Sequence, residues 1–103
     1  MENESPAHAS GNWLVVEENE TAFVARWIEF LEWARDTIPG FISATLIKDS
    51  ETPRHFVSIA QWDGTEAHAA WKSHAEFPKK LEACRALCED FSGGDYELAA
   101  RVS

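Results

Sequence analysis

Residues 41–48 and 54–62 carry apolar side chains on both of their alternating faces, and this double greasiness restricts the fold more than any other feature of the chain. Both stretches are rich in β-branched and aromatic residues, and the polar link from Asp49 to Pro53 is short enough for a hairpin, so they are expected to pair as antiparallel strands. Side chains alternate across a strand, and a sheet covered by helices on one side would present polar residues at every second position. In the first stretch Phe41, Ser43, Thr45 and Ile47 are expected to share one face and Ile42, Ala44 and Leu46 the other. In the second, Phe56, Ala60 and Trp62 oppose Val57 and Ile59. Helices can shelter only one of these faces, so the other is expected to be buried against the same face of a second copy, giving a homodimer.

The helices are legible around this hairpin. From about Glu20 to Ile38, Phe23, Trp27, Phe30, Leu31, Ala34 and Ile38 recur at helical spacing, with Arg26, Glu29, Glu32, Arg35 and Asp36 on the opposite side. Asn19 is placed to cap this helix, and Pro39-Gly40 stops it. After Trp62, Asp63-Gly64-Thr65-Glu66 reads as a capped helix start, with a short helix to about Ala75. Pro78 fits the first turn of another helix. Its apolar positions Phe77, Leu81, Cys84, Cys88 and Phe91 advance by four, three, four and three until Ser92-Gly93-Gly94 ends it.

A buried first strand is expected over 12–18, around Trp13, Leu14, Val15 and Val16, and a last strand over 95–102. The order is βαββαβ: an α+β, ferredoxin-like domain with a four-stranded antiparallel sheet. Residues 1–11 combine Pro, Gly, Ser and charge without periodicity and are read as a flexible tail, leaving 12–103 as the folded domain.

A chain of 103 residues with 45% hydrophobic content supports one core and no second domain. It has no long apolar run and no basic, apolar leader, so a cytoplasmic protein without a membrane partner is expected. The formal net charge of -9 argues against nucleic acid, whose phosphates it would repel. Five of the acidic residues, Glu2, Glu4, Glu17, Glu18 and Glu20, lie in the first twenty positions. Cys84 and Cys88, four apart, are read as small buried apolar residues of one helix, with no partner ligands for a metal.

No catalytic motif with a general signature is present, neither a nucleophile elbow, nor a phosphate loop, nor a zinc-binding helix. Aromatic density is what remains. The chain has five tryptophans, and Trp27, Trp62 and Trp71 fall where helices would meet the sheet, as a lining for a flat aromatic ligand. His68 and His74, on the short helix after Trp62, are the side chains suited to moving a proton near neutral pH. Arg85, beside Cys84, could hold an anionic or phenolic oxygen.

The series Pro39-Gly40-Phe41, Phe56 and Ser58, Gln61-Trp62, Glu66-Ala67, Trp71 and Phe77 resembles the antibiotic biosynthesis monooxygenase family of dimeric α+β barrels, over residues 13–102. The resemblance implies the same fold and a homodimer. It also implies small oxygenases that use no metal or flavin and oxidise polycyclic phenols or hydroquinones, the deprotonated substrate itself supplying electrons to dioxygen. In that branch a tryptophan ending the third strand, an asparagine four residues earlier and a tyrosine six residues later line the site; here Trp62 matches, while Ser58 and His68 stand at the other two positions. Taken with the residues singled out above, the expected catalytic residues are Trp62, His68 and Arg85 and the expected substrate-binding residues Ser58, Trp71, His74 and Trp27; the resemblance implies no cofactor and no metal.

A haem-degrading branch uses a tryptophan matched by Trp71, but Leu81 stands at its iron-binding histidine, and Trp13 at its asparagine with Asn12 one residue out of register. Haem degradation is therefore not expected. A non-catalytic ligand-binding barrel, or isomerase or cyclase chemistry in the same pocket, are the alternatives, since the fold does not choose among them.

Overall fold

The computed structural model describes residues 7–103. Among them the order is β1 (Ala7–Val15), a single 3-10 turn (Glu17–Asn19), α1 (Glu20–Thr37), β2 (Phe41–Lys48), β3 (His55–Trp62), α2 (Thr65–Ser73), α3 (Phe77–Arg85) and β4 (Cys88–Glu97). The strands form one sheet in the order β2-β3-β1-β4, every neighbouring pair antiparallel. This is the βαββαβ ferredoxin-type α+β fold, with the broken helix α2–α3 as its second crossover. Among the described residues no helix is long and apolar enough to cross a membrane.

The core lies between the helices and one face of the sheet. Phe23, Trp27, Phe30, Leu31 and Ala34 bury the inner stripe of α1, and Phe56, Ala60 and Trp62 the matching face of β3. Val57 and Ile59 face away, as the alternation requires. In β2 the alternation is broken by a register shift between Phe41 and Ser43. Phe41 therefore leaves the face of Ser43, Thr45 and Ile47 on which it was expected; it pairs with Trp62 and meets that ring edge-on at 5.3 Å. A bulge of this kind inserts one residue and moves everything before it to the other side.

Four further expectations need correcting. β1 begins at Ala7, so residues 7–11 are strand and not tail: they pair with both β3 and β4, and backbone hydrogen bonding on two sides overrides their polar composition. Residues 1–6 of the expected tail lie outside the described residues. The helix start at Asp63 has no side-chain cap; Gly64 takes the cap position, and the Asp63 amide instead donates to Gly40 O at 2.8 Å. Asn19 does sit at the cap of α1, but its Nδ2 donates to Leu87 O at 3.5 Å and not to its own helix.

The last correction is the largest. α3 ends at Arg85, and Cys88 and Phe91 belong to β4, which starts seven residues before the expected position. The cause is a bulge: Trp13 pairs with Phe91 and Val15 with Cys88, so three residues of β1 oppose four of β4. Cys88 and Phe91 thus both face the helices although they are three apart, a spacing that in sequence imitates a helix.

Candidate functional site

A cavity of about 340 Å³ lies between the helices and the β1–β4 half of the sheet. Its helical wall comes from periodicity. Trp27, Phe30 and Leu31 fall at i, i+3 and i+4 on α1, and Phe77 and Leu81 are four apart on α3. Trp71, from α2, is central: its ring lies 5.5 Å from Phe30, 5.0 Å from Phe77 and 5.0 Å from Trp62. The sheet side is low, because Ala9, Gly11 and Gly93 present little or no side chain there. That combination leaves a slot between aromatic walls and a flat floor, sized for a small ligand.

Polar groups on the wall are few. Ser58, 9% exposed, accepts a hydrogen bond from Trp13 Nε1 at 3.0 Å. Asp95 and Lys72 form the rim, with Lys72 Nζ 3.0 Å from both Asp95 oxygens. This ion pair is half-exposed and screened by water, so it orders the rim more than it stabilises the fold.

Of the seven residues singled out from sequence, Ser58, Trp71 and Trp27 line the cavity together, and Trp62, His68, His74 and Arg85 do not. Trp62 is fully buried behind Trp71. His68 is buried too, its ring 6.0 Å from Trp71 and its Nε2 3.5 Å from Asp95 Oδ1. Burial pushes the His68 pKa down, the Asp95 carboxylate opposes this, and Lys72 adds to the lowering; the imidazole is neutral at neutral pH. His74 Nδ1 accepts from the Glu76 amide at 3.0 Å and the ring meets Trp33 edge-on, so it braces the α2–α3 turn. Arg85 is half-exposed, with its guanidinium 5.8 Å from the Phe91 ring and Nη1 3.8 Å from Glu82.

Sequence reasoning missed Asp95, Lys72, Trp13 and Gly11. Lys72 could have been found, since His68, Trp71 and Lys72 fall at i, i+3 and i+4 on one helix face. Asp95 could not be found while β4 was read as helix, because only the strand period puts Phe91, Gly93 and Asp95 on one face.

Nothing in the wall offers a ligand set for a metal. Among the described residues no group of three or more His, Cys, Asp or Glu converges on a point. Leu81, at the position of the haem branch's histidine, lines the cavity with a side chain that has no ligating atom.

Comparison with known proteins agrees with this fold. A family model described as antibiotic biosynthesis monooxygenase matches residues 7–83. SnoaB, a cofactor-independent oxygenase from Streptomyces nogalater, superposes in a mutant form with a TM-score of 0.82 at 20% identity, covering 96% of each chain. A protein of unknown function from Bacteroides thetaiotaomicron gives 0.80 at 18% identity, over 92% of this chain and 99% of that one. A Chloroflexus aurantiacus protein described under the family's name gives 0.73 at 18% identity, over 96% and 98%. No curated protein matches.

Proposed function

The chain belongs to the antibiotic biosynthesis monooxygenase family, and from that membership we propose that it is a cofactor-independent monooxygenase acting on an aromatic, polyketide-like phenol or hydroquinone. The observation that carries this reading is the slot itself, about 340 Å³, walled by Trp27, Phe30 and Trp71 and holding one buried hydroxyl, Ser58. Aromatic walls take a flat ring system by stacking and by exclusion of water. The hydroxyl serves an oxygen on that ring.

In the reaction proposed, an activated ring methylene loses a proton and the resulting anion passes electrons to dioxygen. One oxygen atom ends as a ring carbonyl and the other leaves as water, so the four electrons taken by dioxygen equal those lost as the methylene becomes a carbonyl. His68 lies behind the wall, 3.5 Å from Asp95 at the rim, so in this proposal it acts on the proton through Asp95. Trp62 supports Trp71 from behind.

Oxygen-electrode measurements with a panel of anthrone-type and naphthoquinol substrates test the reading. One dioxygen consumed per substrate is the expected result, and no uptake with any member of the panel overturns it. A binding protein without turnover is the second reading, favoured by the absence of both Trp62 and His68 from the wall; saturable binding of the same panel without oxygen uptake would select it.

The homodimer belongs to the same proposal. The open face of the sheet exposes Ile47 (54%), Ile59 (43%) and Tyr96 (60%) in rows that also hold Val57 and Thr45. A second copy laid on that face removes them from water.

A further inference from the structure

The one buried hydrogen bond between side chains that reaches the cavity runs from Trp13 to Ser58, and its direction has a chemical consequence. Trp13 Nε1 is a donor only, so in the 3.0 Å contact the serine oxygen must accept. A hydroxyl has one hydrogen of its own, and among the described residues Ser58 gives it to no protein group. Ser58 is nine-tenths buried and lines the cavity, so that hydrogen is left for whatever occupies the cavity, water in the free protein and a ligand when one is bound.

We propose that Trp13 is a positioning residue which, by holding the Ser58 oxygen, turns the Ser58 hydrogen toward the ligand and so selects a ligand oxygen that accepts: a phenolate or a ring carbonyl. This rests on the aromatic-ligand reading above and deepens it, naming the ionisation state in which the ligand is held.

The backbone is shaped around this pair. Gly11 stands opposite Ser58 in the β1–β3 register. A Cβ at Gly11 would lie 2.8 Å from Trp13 Nε1 and 2.9 Å from Ser58 Oγ, between donor and acceptor. Only glycine leaves the hydrogen bond intact at this position. Trp13 is in turn fixed by its neighbours, with ring centroids 4.2 Å from Phe91 and 5.2 Å from Phe23, and it is 2% exposed. A locked indole gives a locked hydroxyl. A donor fixed in a dry site favours the charged form of an oxygen that accepts from it, and a hydrogen bond polarised by a second donor is the stronger for it.

The test reads ionisation and not turnover. A nitronaphthol, whose phenol and phenolate absorb at different wavelengths, is bound without oxygen and titrated on the protein. Ser58→Ala is expected to raise the bound naphthol's pKa by about one unit relative to wild type, a roughly tenfold loss of phenolate at fixed pH. Ser58→Thr should keep the wild-type value. Trp13→Phe, which keeps a ring and removes the N–H, should raise the pKa by a smaller amount, and should add nothing when combined with Ser58→Ala. Gly11→Ala should behave like Trp13→Phe.

Any merely structural effect of Trp13 would appear in both backgrounds. An equal shift in both overturns the positioning role, a wild-type titration in Ser58→Ala overturns the donor, and failure of wild type to bind the naphthol overturns both. Since the serine variants change only one small group, they remain readable even where Trp13→Phe fails to fold. Ionisation as predicted together with no oxygen uptake would sink the oxygenase reading alone and leave this one standing.

Discussion

His68 Nε2 lies 3.5 Å from Asp95 Oδ1, which puts a buried imidazole against the one carboxylate on the cavity rim. Burial lowers the folded pKa of His68 below its ordinary 6.5, although Asp95 raises it in part. The unfolded chain therefore binds a proton at a pH where the folded chain does not, and stability from this group is present above about pH 6.5 and lost as pH falls through the folded pKa. Thermal melting is expected to weaken on acidification below neutral pH, and His68→Gln should flatten that slope. Asp95→Asn removes the opposing charge and should push the imidazole titration, followed by NMR, further down. An upward move would show that the Asp95 carboxylate does not raise the pKa of the ring.

Cys84 and Cys88 are both free thiols held in their protonated form. Burial pushes Cys84 up to about 12 and Cys88 to about 11, the nearby Cys88 adding to the effect on Cys84. Thiolate is the reactive species, so a disulfide reagent at pH 8 should label the native protein far more slowly than the unfolded one, with Cys84 the slower of the two. Rapid native labelling of Cys84 would show that α3 opens locally.

Gly40 turns the chain from α1 into β2 with φ 95°, in the region that side chains avoid. An added Cβ would also approach Ala67 Cβ and Asp63 Oδ1 to 2.6 Å. Gly40→Ala combines the left-handed penalty of about 1–2 kcal/mol with that clash. Urea denaturation should register a loss at the upper end of that range or beyond, and a neutral result would mean the turn reshapes freely.

Ile59 is 43% exposed on the open sheet face, away from the core. Ile59→Asp should leave the fold intact by circular dichroism. It should also convert the proposed dimer to a monomer in light scattering, since a charge cannot be buried unpaired against its own copy. A wild-type chain already monomeric at micromolar concentration would remove the basis of that expectation.

Trp62 is completely buried and touches both Trp71 and Phe41. Truncation to alanine should cost about 3–5 kcal/mol by the loss of burial and the cavity left behind. Trp62→Phe should cost less and retain most ligand binding, because it is the support of Trp71 and not contact with ligand that this ring supplies.

Local pattern carried much of this fold. The α1 stripe, the bounds of β2, the stop at Pro39-Gly40 and the inner face of β3 were readable because each depends on period, turn chemistry and residue type within a few positions. β1 and β4 were misplaced for the opposite reason. Residues 7–11 look like tail, and Cys88 to Phe91 look like helix, until strands far away in sequence supply their hydrogen bonds and one bulge resets their register.

The site divides in the same way. Residue type and helical position picked out Trp27 and Trp71, since tryptophans next to a sheet have few places to go but its covered face, and Ser58 came from the family resemblance. Tertiary structure decided which of the candidates meet: it set Trp62 and His68 one layer behind the wall, sent His74 and Arg85 elsewhere, and brought Asp95, Lys72 and Trp13 to the cavity from three separate elements of the chain. Composition and spacing constrain what a segment can be, whereas contact between segments depends on register, and a single inserted residue changes that without leaving a mark on either sequence neighbour.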